Sequence, residues 1–520
     1  MDATMEQAPI NERSAVATRG WPWLLAALAL AFVVHAPSLS LGFVDDDYEF
    51  WLETVRRMED PQRLVRPFGG VRLTNPILMM PDIVIWGQWL PGWHVTNLAI
   101  HGAVMVLLFG LIRRLTLGAP AAAALVAVWG ISPFTSYQVR EIHQRLDPLL
   151  FACWLGIGLL WPGEDQRWKT GRALAAATLA VVSAVTKESW VILPGLAFAF
   201  DLAVRRSSAR RALRTAILWT AGPLLYLAVY TLWPAVEASY AAGYWSGGLS
   251  AAAKIPSTFA AFCGLATLDV SSQRFGPAEW LSIVALVALA ALTARTLEPL
   301  LVEGLAFFFL PFVPVIPVGF MTARYACVPF AGFLMILAGL ARLAGRHASS
   351  AVGRLAVGGL AGAAVLALAA FSLTVAPREM ADADRRDEGH RKLLEEALAF
   401  RARMPLGRPL VCVRLERLSV NSRVLEEVEG LPKAYFERAN YPYGLVRWAE
   451  LMSWTGWRRG GPLWEEVPWD EVPDGPFAVI GHADGRFLNL EAGAPTAAAA
   501  AAGWSARGFP VRSIRPVPEG

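Results

Sequence analysis

The sequence predicts an all-α polytopic membrane protein of about eleven transmembrane helices, with a small extracytoplasmic α+β domain at its C-terminal end. Three observations carry this expectation. Hydrophobic residues make up 55% of the 520-residue chain and charged residues only 17%, against roughly 25% charged in soluble globular domains. Trp outnumbers Tyr, 21 to 10, as suits aromatic belts at membrane–water interfaces. The apolar residues also gather in repeated runs, many near the length of about 20 that crosses a bilayer as a helix. The same figures exclude a disordered chain, a fibrous chain and an ordinary cytosolic enzyme. A net charge of +4 is too small to point to a nucleic-acid partner.

The runs lie at residues 21–39, 93–115, 118–133, 148–162, 173–187, 189–204, 215–236, 279–296, 299–320, 325–342 and 355–376. The third to sixth are the shortest. The first is read as a retained span rather than a cleaved signal peptide: it is long, lacks an A-x-A-like cleavage site, and more spans follow. With residues 1–20 as a cytoplasmic tail, the cytoplasmic loops hold Arg113, Arg114, Arg167, Lys169, Arg172, Arg205, Arg206, Arg210, Arg211, Arg214, Arg295, Arg342, Arg346 and Arg354. The short external loops hold Arg140, Arg145, Lys187, Lys254, Arg274 and Arg324, which is 6 against 14. The asymmetry fits the positive-inside rule. It places the protein in the inner (cytoplasmic) membrane with its C-terminal segment outside, because the number of spans is odd.

The transmembrane domain is thus expected over 21–376, with long external pieces at 40–92 and 237–278 and a soluble domain at 377–520. In the last, Pro409–Leu415 and Phe477–Ile480 read as strands and Ser422–Asn440 as an amphipathic helix. No internal repeat is apparent. The cysteines Cys153, Cys263, Cys327 and Cys412 show no metal-ligand spacing, though Cys263 and Cys412 could pair if both are external.

Four polar features fall on the external side. The first is Phe43-Val44-Asp45-Asp46-Asp47-Tyr48-Glu49, just after the first span. Four acids in five residues repel one another and are costly near a membrane unless solvated or paired. A solvated helix end explains them, and so does a general base or metal ligand held at the membrane surface. The second is the loop from Gln138 to Asp147, with Arg145 and Asp147 two residues apart and so directed differently on a helix. The third is Thr186-Lys187-Glu188-Ser189, which snorkelling and a local ion pair would also explain. The fourth is Thr322-Ala323-Arg324-Tyr325, after the Pro-rich 311–317. Broken helices of that kind are tolerated at membrane depth where they line a cavity. Alone, Arg324 reads as an interfacial anchor. Together the four place a base and several cations on one membrane face, as a lipid-phosphate-dependent transferase requires. His94, Asn97 and His101, spaced by three and four, read as packing and hydrogen bonding within the bundle.

The order of these motifs resembles the GT-C membrane glycosyltransferases. It runs from an acidic pair after the first span through Trp93–His101, Gln144-Arg145-Leu146-Asp147, Thr186-Lys187-Glu188, Pro194-Gly195, Asp201-Leu202 and Arg324-Tyr325 to Pro329. The nearest resemblance is to the protein O-mannosyltransferase-like branch whose animal members add tetratricopeptide repeats, here missing. The likeness covers about residues 20–345. Gln144 stands where that family often has Gly, and Ala323 where it usually has Glu.

The resemblance implies transfer of a sugar from a polyprenyl phosphate to an extracytoplasmic acceptor hydroxyl on a protein, lipid or glycan. Its acidic pair aligns with Asp46 and Asp47 as the catalytic residues, one acting as general base. Arg145, Lys187 and Arg324 would bind the donor phosphate, supported by Asp45, Glu49, Asp147, Glu188 and Tyr325. No cofactor is assigned, and a divalent metal is left open. Two other readings compete. A transporter or flippase predicts ionisable residues near span centres and repeated halves, whereas the charges gather at span ends. A non-catalytic scaffold would be in keeping with Gln144 and Ala323.

Overall fold

The computed structural model describes residues 20–41, 54, 57–58, 74–87, 89–164, 166–222, 224, 254–263, 276–314, 323–401, 410–412, 478–483 and 486–489, with some side chains inside these ranges left out. The chain divides into two compact units, one of Met1–Leu41 with Arg57–Ala383, the other of Gly42–Arg56 with Asp384–Gly520.

The first unit is helical. Among the described residues its helices are α1 (Trp21–His35), α2 (Thr74–Ile85), α3 (Leu90–Arg114), α4 (Ala119–Gly130), α5 (Pro133–Arg140), α6 (Leu146–Leu160), α7 (Thr170–Thr186), α8 (Leu193–Ala203), α9 (Ala209–Trp219), α10 (Lys254–Phe262), α11 (Pro277–Thr296), α12 (Pro299–Phe309), α13 (Cys327–His347) and the part of α14 (Ala351–Arg401) up to Ala383. Proline stands in the first turn of α1, α3, α4, α5, α8, α11 and α12. There its missing N–H would have no helical partner anyway, so it starts a helix without breaking one.

Every apolar run of the sequence holds a helix, but the eleven spans are not reached on length. Among the described residues, five helical stretches are long and apolar enough to cross a membrane: Trp21–Ser40, Leu90–Arg114, Pro277–Thr296, Cys327–His347 and Ala351–Arg378. A sixth arises if α4 and α5, bent by 61°, form one span. Thr170–Thr186, Ser189–Ala203 and Pro299–Phe312 are shorter apolar helices. The protein is a multi-pass membrane protein. α2 and α10 fall where the sequence suggested external loops. The seventh run is described only to residue 224.

The bend between α4 and α5 follows from Pro133, which cannot donate a backbone hydrogen bond into the preceding turn. The Gly130 carbonyl instead accepts from two imidazoles, His35 Nε2 at 2.8 Å and His101 Nε2 at 2.9 Å. His101 also stacks on Trp129, with ring centroids 5.1 Å apart. Two histidines thus satisfy the chain break and tie α1 and α3 to it. At the end of α5, Asn97 Nδ2 donates to the carbonyls of Gln138 at 3.2 Å and Glu141 at 3.1 Å. His94 Nε2 lies 3.1 Å from the Leu41 carbonyl. This is the bundle hydrogen bonding expected of His94, Asn97 and His101.

The core centres on α12 and α13. A Cβ built on Gly332 would lie 2.5 Å from both the Gly304 carbonyl oxygen and the Phe308 nitrogen. The two backbones therefore touch where the side chains are smallest, as in other helix pairs without a hydrophobic drive between them. Phe134, Phe259, Phe262, Phe308, Phe330 and Phe333 surround this contact, mostly edge to face. In contrast, Leu355, Leu360 and Leu366 of α14 are exposed, as on a helix facing lipid.

In the second unit, β1 (Leu410–Cys412) pairs in parallel with β2 (Ala478–Ala483), and β2 pairs antiparallel with β3 (Arg486–Asn489). β1 and β2 coincide with the two strands expected there. The expected helix at 422–440 lies outside the described residues. Cys263 is a free, exposed thiol; the side chain of Cys412, with which a pairing was considered, lies outside the described residues.

Candidate functional site

Three stretches far apart in sequence meet at one end of the first unit. α6 begins there with Asp147 in its first turn. α7 ends there, and Lys187 follows in extended backbone. The 3-10 turn Ala323–Ala326, leading into α13, carries Tyr325. Lys187 Nζ is hydrogen-bonded to Asp147 Oδ1, and both groups are largely shielded from solvent. The ammonium also lies 5.0 Å from the centre of the Tyr325 ring, within cation–π range. Asp147 at a helix N-terminus is further favoured by the helix dipole.

Arg145, two residues before Asp147, turns the other way. Its guanidinium is 1% exposed and pairs through Nη1 with Asp82 Oδ2 of α2. Nε donates to the Ile142 carbonyl at 3.0 Å and Nη1 to the Leu78 carbonyl at 3.3 Å. Asp82 accepts in addition from Thr96 Oγ1 at 2.6 Å, which accepts from Trp86 Nε1 at 3.1 Å. Among the described residues Nη2 is the nitrogen of Arg145 left without a partner. Arg145 thus locks α2 and α3 to the turn before α6. Its sequence-based reading was a phosphate ligand, and Asp82 was not foreseen at all. In the same loop, Glu141 pairs with Arg140 at 2.9 Å, and Arg140 covers the Tyr137 ring at 4.1 Å.

A cavity opens beside the Lys187–Asp147 pair, lined among others by Gln138, Asp147, Trp154, Ser189, Tyr325 and Cys327. Arg324 belongs to the same 3-10 turn as Tyr325. The side chains of Arg324 and Glu188 lie outside the described residues, as do Asp45, Asp46, Asp47 and Glu49 altogether. The site is therefore described in its Asp147–Lys187–Tyr325 part. Among the described residues no three His, Cys, Asp or Glu side chains group as metal ligands. Asp82 and Asp147 are each held by a cation instead.

The opposite ends of the helices carry a different set of ion pairs. Glu298 binds Arg342 at 3.1 Å and Arg346 at 2.7 Å. Asp201 accepts from Trp161 Nε1 at 2.8 Å and Thr215 Oγ1 at 2.7 Å. Arg114 Nη1 donates to the Gly158 carbonyl at 3.0 Å near the end of α6. Glu303 stands apart: it is fully buried in α12, and among the described residues neither carboxylate oxygen has a partner. It is an ionisable group inside an apolar run, which the sequence reading passed over.

This helical bundle with a polar cavity at one end has counterparts in fold among solved structures. It is similar in structure to ArnT from Cupriavidus metallidurans bound to undecaprenyl phosphate. The TM-score is 0.50 at 13% identity, covering 89% of this chain and 93% of that one. The apo state of the same ArnT matches at a TM-score of 0.45 and 15% identity, covering 90% and 94%. No protein-family model matches the sequence, and no curated protein does so significantly.

Proposed function

We propose that the protein is a membrane glycosyltransferase that moves a sugar from a polyprenyl-phosphate donor to an acceptor hydroxyl outside the cytoplasm. The observation that carries this reading is the meeting of Asp147, Lys187 and Tyr325. These are motif residues from three distant stretches, gathered beside a cavity in a GT-C fold. The resemblance of those motifs to the O-mannosyltransferase-like branch, and ArnT's complex with undecaprenyl phosphate, both favour a lipid-phosphate donor. By the same reading the cavity end of the bundle faces outside and the N-terminus is cytoplasmic.

In the proposed reaction the acceptor oxygen attacks the anomeric carbon. The bond from that carbon to the phosphate oxygen breaks, and its electron pair leaves with the polyprenyl phosphate. Asp46 takes the acceptor's proton, with Asp47 beside it. Lys187 and Arg324 stabilise the charge growing on the phosphate by charge-assisted hydrogen bonds. Arg145, engaged by Asp82, acts as a positioning residue that holds the loop carrying Asp147. If a divalent ion takes part, the acidic loop at 45–49 is the place in this chain that would hold it.

Membranes containing the protein should convert a polyprenyl-phosphate hexose to polyprenyl phosphate and glycosylated acceptor. Asp46→Asn should lower turnover by about 10²–10⁴-fold, as loss of a general base does. Asp45→Asn should be milder. Arg324→Ala should cost about one to two orders of magnitude, and Arg324→Lys should keep partial activity because Lys keeps the charge but loses the forked geometry. Full activity in Asp46→Asn with a dead Asp45→Asn would shift the register of the acidic pair. An Arg324→Ala enzyme of normal turnover would remove Arg324 from the site.

A further inference from the structure

The cavity beside Asp147 contains more polar capacity than the protein itself uses. Gln138 is 1% exposed, and its Oε1 accepts from Cys327 Sγ at 3.2 Å. In that contact the thiol donates and the amide oxygen accepts, which leaves Nε2 as the remaining group. Among the described residues Gln138 Nε2 has no partner. Trp154 is 2% exposed, and its Nε1 likewise has none. Asp147 gives Oδ1 to Lys187, while Oδ2 is buried and unmatched. All three residues line one cavity. They come from α5 and from the first and third turns of α6. Buried polar atoms are nearly always matched once bound molecules are counted, and these three, on one cavity, can bind the same molecule.

The chemistry of the three selects among ligands. Two are neutral N–H donors and one is a carboxylate oxygen, which only accepts. A hydrocarbon tail would satisfy none of them. A phosphate dianion would meet Oδ2 with like charge. A hydroxyl both donates and accepts, so a row of hydroxyls on adjacent carbons can give a proton to Asp147 Oδ2 and accept from Gln138 and Trp154.

We propose that this cavity receives the hydroxyl edge of the donor's sugar, with Gln138, Trp154 and Asp147 as its specificity-determining contacts. The proposal rests on the glycosyl-transfer reading and adds to it the place where the sugar is told from the lipid. The phosphate and polyprenyl chain lie outside this cavity. The neutrality of the two N–H donors favours an uncharged hexose or pentose over an acidic sugar.

The test uses the full-length protein in lipid nanodiscs and two ligands, a polyprenyl-phosphate hexose and bare polyprenyl phosphate. Trp154→Phe removes one N–H and keeps the ring. Gln138→Met removes the other at similar volume. Each variant should weaken binding of the sugar-bearing ligand by about tenfold, the equivalent of one hydrogen bond, and leave bare polyprenyl phosphate unchanged. The melting temperature without ligand should not fall in Trp154→Phe, because the lost N–H bonds nothing in the protein. Unchanged affinity for the sugar-bearing ligand would overturn the proposal, as would equal weakening of both ligands. A lowered ligand-free melting temperature in Trp154→Phe would also overturn it, by showing a structural role. If the wild type binds the bare lipid but no sugar-bearing form, the proposal fails while lipid-phosphate recognition stands. If it binds neither, the glycosyl-transfer reading fails as well.

Discussion

Lys187 and Asp147 show what a buried ion pair asks of its neighbours. Removing one partner leaves the other charge shielded from water and unpaired, which typically costs about 3–5 kcal/mol. Lys187→Met should therefore lower the melting temperature of the detergent-solubilised protein sharply. Lys187→Met combined with Asp147→Leu should recover most of the stability without restoring turnover. If the single variant melts like wild type, the pair contributes little to the fold. Glu303 poses the opposite case, a buried carboxyl with no partner to lose. Glu303→Leu should leave stability unchanged or raise it by about 1–3 kcal/mol, the desolvation cost of an unmatched polar group. A Glu303→Gln enzyme that melts normally but has lost all function would instead favour the transport reading, because an intramembrane acid is what that reading requires. At this scale the sequence showed which residues matter more readily than what they touch. Arg145, Asp147 and Lys187 stand out as charges at the ends of apolar runs. Asp82 lies 63 residues from Arg145 in the chain, between two features that drew the eye, and nothing local marks it as a partner.

Among the elements, the contact of α12 with α13 is the tightest. Gly332 meets the Gly304 carbonyl and Phe308 backbone at distances no Cβ tolerates. Backbone cannot give way as a flexible side chain would, so Gly332→Ala must separate the helices. Overpacking of this kind costs about 1–3 kcal/mol. Gly345→Ala, later on the same helix with nothing within 4 Å of the added methyl, is the matched control and should be neutral or slightly stabilising. Thermal unfolding of the two variants compares them directly, and equal melting temperatures would show that the helices have room to adjust. The helices themselves were largely legible, because hydropathy sets their extent and prolines mark their starts. α2 was missed because its twelve residues, with Pro81 inside, are too few to register as a span, and α10 because its nine residues are too few as well. The bend at Pro133 was legible as a residue, but its satisfaction by His35 and His101 was not, since that requires two helices brought in from 95 and 29 residues away.

Across the whole molecule, orientation decides whether the proposed site faces the lipid-linked sugar outside the cell. Two features set the parity of the span count. One is the bent α4–α5 pair, which places Arg113 and Arg140 on opposite faces only if it crosses once. The other is the stretch after α9, described only to residue 224. The basic residues offer an independent guide, because the positive-inside rule counts Lys and Arg rather than net charge. Arg205, Arg342 and Arg346 still count, even though Asp201 and Glu298 pair with them. Arg206, Arg210, Arg211 and Arg214 add four more within ten residues, a load that is costly to translocate. The 205–214 loop should therefore be cytoplasmic, and the far end of α14 outside. A reporter enzyme active only outside the cytoplasm should be active when fused after Arg401 and silent when inserted at 205–214. The reverse pattern would put Lys187 and Asp147 in the cytoplasm, where an extracytoplasmic acceptor never reaches them. Activity at both points would mean that one run between them does not cross, and the bent pair is the first place to look, because its two helices diverge by 61°.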